Sequence, residues 1–88
     1  MESDKIVKVL TTIFGKKYPE IEFKCEITEN VQSGHRWSVW HKGKLIDVTC
    51  KAPKKFYETT DMKDAEPQIR NILKMMGVEG HIRVFFVH

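Results

Sequence analysis

The stretch His35-Arg36-Trp37-Ser38-Val39-Trp40-His41-Lys42-Gly43-Lys44-Leu45-Ile46-Asp47-Val48 decides how this chain reads. Lys42-Gly43 fits a two-residue turn, because glycine accepts the positive φ that tight hairpin turns require. Folding there predicts that Trp40 faces Leu45, Val39 faces Ile46, Ser38 faces Asp47 and Trp37 faces Val48. One face then carries Trp37, Val39, Ile46 and Val48 and is a core face. The other carries Arg36, Ser38, Trp40, Leu45, Asp47 and Thr49. A water-facing surface with a tryptophan and a leucine amid charges reads as a contact surface.

Outward from the hairpin, strict alternation predicts a strand before it. Ile21, Phe23, Cys25 and Ile27 point inward, while Glu22, Lys24, Glu26 and Thr28 point to water. A helix precedes that strand. Ile6, Val9, Leu10 and Ile13 recur at helical spacing, widened by Val7 and Phe14. Ser3 suits its N-cap, Asp4 complements the positive end of the dipole, and Gly15 stops it ahead of Lys16-Lys17. After the hairpin, Ala52-Pro53-Lys54-Lys55 breaks the sheet. A second helix follows, capped by Asp61 or Asp64, with Pro67 in its first turn. Its apolar stripe is Ile69, Ile72, Leu73 and Met76, and Gly77 ends it. The last strand is 81–88: Ile82, Val84 and Phe86 face one side, and Arg83, Phe85 and Val87 the other.

The predicted order is αβββαβ. It implies an α+β fold, a two-layer sandwich in which two helices share one face of a four-stranded, mostly antiparallel sheet. The link from the third strand through the second helix is long enough for a crossover. At 88 residues the chain suits a single compact domain over 1–88. The first five elements resemble double-stranded RNA-binding domains in order. There the second helix opens with positive charge, and here Asp61-Met62-Lys63-Asp64-Ala65-Glu66 is acidic, so no family is assigned.

Composition narrows the function. Fifteen basic and twelve acidic residues leave a net charge of +3, a weak excess for a dedicated duplex binder. Lys42, Lys44, Lys51, Lys54 and Lys55 cluster in the middle, and Glu58, Asp61, Asp64 and Glu66 follow. No apolar run is long enough for a membrane span or a signal core, so the expected location is cytoplasmic. Cys25 and Cys50 read as buried free thiols, in keeping with a reducing compartment. His35 would lie across the hairpin from Cys50. That pair lacks the tight spacing of a zinc site and the accessible setting of a nucleophile. The five glycines are scattered at turns and form no phosphate loop. The reading is therefore non-enzymatic, with no cofactor or metal.

Two binding readings remain. The first is a protein-interaction module, an adaptor or inhibitor of a larger protein. Its contact residues are Arg36, Trp40, Lys42, Lys44, Leu45, Arg83 and Phe85, on an open sheet face or an edge strand. The second is a single-stranded RNA or DNA binder that stacks bases on Trp40 and Phe85. A homodimer is another outlet for the same surface. Charge decides between them. An excess of three is screened within about 8–10 Å at physiological salt, and two stacked bases at about 1–3 kcal/mol each give only weak affinity. Protein binding is the expected function.

Overall fold

A computed structural model describes residues 2–29, 43–58 and 61–87. Helix α1 (Glu2–Phe14) leads into strand β1 (Glu22–Thr28). Strand β2 (Leu45–Lys51) is followed by a short helix α2 (Lys54–Tyr57), helix α3 (Asp61–Met75) and strand β3 (His81–Val87). The class is α+β, with three helices and a three-stranded mixed sheet among the described residues.

The sheet order is β1-β2-β3. β1 and β2 run antiparallel from Glu22 opposite Lys51 to Thr28 opposite Leu45. β2 and β3 run parallel, from Leu45 beside His81 to Lys51 beside Val87. Both edges of β2 are therefore in use along its whole length. This corrects the expected hairpin, because no edge remains on which Trp40 could pair with Leu45 or Trp37 with Val48. Among the described residues, one antiparallel and one parallel pair stand in place of four mostly antiparallel strands. Residues 30–42, including the expected strand 35–41, lie outside the described residues. Gly43 does take the positive φ expected of it, +73°.

The inward side of β2 shows why this strand is central. Ile46, Val48 and Cys50 are wholly buried, and a fully buried strand needs neighbours on both edges to satisfy its backbone. The parallel ladder is tied at each end: His81 N–H donates to Lys44 O at 2.9 Å, and Ala52 N–H donates to Val87 O at 2.9 Å. The chain between the two strands returns through α2 and α3, the crossover that a parallel pair demands.

All three helices bury residues in one cluster with the inward face of the sheet. α1 contributes Ile6, Leu10 and Phe14, α2 contributes Phe56, and α3 contributes Ala65, Ile69 and Leu73. The α1 stripe is narrower than its periodicity implies, for Ile13 is exposed. The helix already begins at Glu2, so Ser3 lies inside its first turn and does not cap it. Glu2 and Asp4 place negative charge at the positive end of the dipole.

α3 ends as glycine dictates. Gly77 has φ +77°; its N–H donates to Lys74 O at 3.0 Å, and Val78 N–H donates to Leu73 O at 3.1 Å. This pair of bonds is the Schellman motif, which satisfies carbonyls that the helix leaves open. Val78 then packs against the core. Pro67 departs from expectation. α3 starts at Asp61, so the proline lies beyond the first turn, inside the helix.

Candidate functional site: the outward face of the sheet

Strand alternation and the observed register lay out the outward face as four rows. Reading across β1, β2 and β3, they are Glu22–Lys51–Val87, Lys24–Thr49–Phe85, Glu26–Asp47–Arg83 and Thr28–Leu45–His81. Six of these twelve residues are charged at neutral pH. Glu22, Glu26 and Asp47 oppose Lys24, Lys51 and Arg83, so the described face is balanced and not basic.

Arg83 makes a two-point ion pair on it. Its Nε donates to Asp47 Oδ1 at 2.7 Å, and its Nη2 donates to Asp47 Oδ2 at 2.9 Å. This two-pronged pairing suits the planar guanidinium and fixes its orientation. The bond to Asp47 also raises the already high pKa of Arg83, so it stays charged. Two residues along the same strand, on the same face, the Phe85 ring centre lies 5.3 Å from the guanidinium carbon. Arg83 is thus held between a carboxylate and an aromatic face.

Phe85 and Val87 are each 42% exposed. The connector after β2 leaves them so on its Phe56 side. Phe56 turns inward, its ring 6.2 Å from Phe86 and 5.3 Å from Tyr18. A shallow depression of about 510 Å³ joins Thr49 and Phe85, past Lys24, to Asp4 and Val7 of α1.

The structure brings together only part of the expected site. Arg83 and Phe85 are adjacent, and Leu45 stands half-buried in the row beyond Arg83. Lys44 is engaged elsewhere: its Nζ lies 3.9 Å from Glu2 Oε2 and 3.7 Å from Glu29 Oε1, between the start of α1 and the end of β1. Arg36, Trp40 and Lys42 lie outside the described residues. Asp47 and Val87 were not among the expected contact residues, although Val87 was read on the same face as Arg83 and Phe85. Alternation placed both on the outward face, but their nearness to Arg83 and Phe85 depends on the β2–β3 register.

The thiols are inward and chemically quiet. Burial pushes the Cys50 thiol up to about 12. Burial also raises Cys25 to about 11, helped by the carboxylates of Glu2 and Asp47. Neither forms a disulfide. Both therefore favour the protonated thiol at neutral pH. Among the described residues, no three His, Cys, Asp or Glu side chains form a group that could hold a metal ion. No described helix is long and apolar enough to cross a membrane. Comparison of the chain with known protein families, with curated proteins and with solved structures returns no match.

Proposed function

We propose that this chain is a small, non-enzymatic protein-interaction module, an adaptor or inhibitor that docks a larger protein on the outward face of its sheet. The observation that carries this reading is the Asp47–Arg83–Phe85 arrangement, with Val87 beside it. Arginine and aromatic residues dominate interface hot spots. An arginine already oriented by a carboxylate and a ring loses less rotamer freedom on binding than a loose one. Phe85 and Val87 offer apolar area next to it, and the mixed charges around them form a polar rim.

The balanced charge of the face favours a protein over a nucleic acid. A single-stranded RNA or DNA could stack a base on Phe85, with Trp40 as the second platform. Its phosphates would meet Glu22, Glu26 and Asp47 as often as they meet cations. Work as one domain in the cytoplasm, with two protonated thiols, belongs to the same proposal.

Site-specific photo-crosslinking tests it. p-Benzoylphenylalanine replaces Phe85 in one version of the chain and the highly exposed Met75 of α3 in another. Illumination in cell extract should give a protein adduct from position 85 alone, resistant to nuclease and weakened by Asp47→Ala. A nuclease-sensitive adduct would move the reading to nucleic acid, and one of twice the chain mass would make it a homodimer. Equal labelling from both positions, or none, would remove the face as a docking surface.

A further inference from the structure

A second surface lies away from the outward face, where the turn after α1 meets α2. The cleft there has a volume of about 320 Å³, at the small end of the range for ligand pockets. Tyr18, Ile21 and Phe56 make its apolar lining. The Tyr18 and Phe56 rings meet edge to face, 5.3 Å between centres. Each is anchored behind, Tyr18 on Phe14 at 6.4 Å and Phe56 on Phe86 at 6.2 Å. Pro19 and Pro53 stiffen the rim, because proline fixes φ. The cleft is therefore formed before anything enters it.

Its charges come from three residues. Lys17 and Lys55 line it from different elements, and Glu20 is the acid among the lining residues. Lys17 Nζ lies 5.3 Å from the centre of the Tyr18 ring. Lys55 Nζ lies 3.3 Å from Glu20 Oε2, with both side chains largely exposed. Lys16 and Lys54 extend the positive charge by one residue on each side. An exposed ion pair contributes little, about 0–1 kcal/mol, so an incoming carboxylate can exchange for Glu20 at Lys55.

We propose that this cleft binds an acidic linear peptide segment of a partner protein. One aromatic or branched apolar side chain of the peptide packs into the cleft against Tyr18, Ile21 and Phe56. Acidic residues on either side of that anchor meet Lys17 and Lys55. The two ammonium groups reach the cleft from separate elements, which calls for negative charge on both sides of the anchor. The small volume admits one anchor side chain and excludes a large cofactor. Glu20 acts as an internal competitor, holding Lys55 while the cleft is empty.

Selection from displayed random peptides tests this on the whole chain. The Lys17→Glu/Lys55→Glu double variant serves as the counter-selection, and its melting temperature checks that it folds. Lys55→Ala gives the same comparison should the double variant unfold. The expected survivors carry an apolar anchor flanked on both sides by Asp or Glu. The synthetic form of the best one should shift the amide NMR signals of Tyr18, Ile21 and Phe56. Its affinity should fall about tenfold in the charge-reversed chain and rise about threefold in Glu20→Gln, as rim charges allow. No acidic enrichment, or shifts confined to other residues, would overturn the proposal. Equal affinity for 3-phenylpropionate, a lone apolar anion, would show that the cleft takes small molecules and not a peptide. Crosslinking at position 85 is read on the other surface, so either result stands without the other.

Discussion

Gly80 shows how one backbone angle admits a strand. Its φ is +153°, in a region that residues with a side chain rarely adopt. A Cβ there would come within 2.8 Å of Ile46 Cδ1 and 3.1 Å of Lys44 Cβ. The close approach has a use, since the next residue, His81, donates its N–H to Lys44 O and opens the parallel ladder. Gly80→Ala should destabilise the fold by about 1–3 kcal/mol through strain and crowding together, measured by urea unfolding. A loss within experimental error would show that the entry to β3 relaxes without cost. Side-chain direction at this scale was legible in the sequence. Alternation placed Arg83 and Phe85 on the outward face and Ile46, Val48 and Cys50 inward, as found. The partner of Arg83 was not legible. Asp47 lies 36 residues earlier, and only the register of a parallel pair joins them.

Elements with a long, regular pattern were legible, and those read from a local turn were not. The α1 stripe, the alternation of β1 and the stop at Gly77 all come from spacing within one segment, which tertiary contacts reinforce. The hairpin reading rested on Lys42-Gly43. Gly43 does take a positive φ, but a turn signal says nothing about which edge the next strand will use. β2 buries its inward side completely, and β1 and β3 together supply the two edges that such a strand requires. Three of the seven expected contact residues, Arg36, Trp40 and Lys42, were assigned from that hairpin and lie outside the described residues. Pro67 is a smaller case. Proline favours a helix's first turn, yet α3 continues toward the N-terminus through Asp61. Inside a helix, proline lacks the N–H that would bond Lys63 O, and its ring crowds that carbonyl. Pro67 is exposed, so little packing depends on it. Pro67→Ala should stabilise the chain by about 1–3 kcal/mol, seen as a higher melting temperature. A lower one would mean that α3 needs the bend.

At the scale of the molecule, the one core cluster links strand packing to pH. Cys50 is wholly buried between β1 and β3, and burial raises its thiol from 9.0 to about 12. Above pH 9 the unfolded chain releases a proton that the folded chain keeps. The unfolded state then binds fewer protons, so stability falls as pH rises. The contribution is fully present below 9 and is lost progressively up to about 12. One such group gives a slope near its limit of about 1.4 kcal/mol per pH unit. Cys25 adds in the same direction but is only half-buried, so solvent screens its share. A comparison of variants isolates the contribution of this thiol. Cys50→Ala should lower stability at pH 7 by leaving a small cavity, while its stability should fall less steeply than wild type between pH 9 and 11. Parallel pH profiles for the two proteins, obtained by urea unfolding at each pH, would show that the Cys50 thiol ionises in the folded chain as readily as in the unfolded one. The inward face of β2 would then admit water, contrary to the packing that makes it the centre of the sheet.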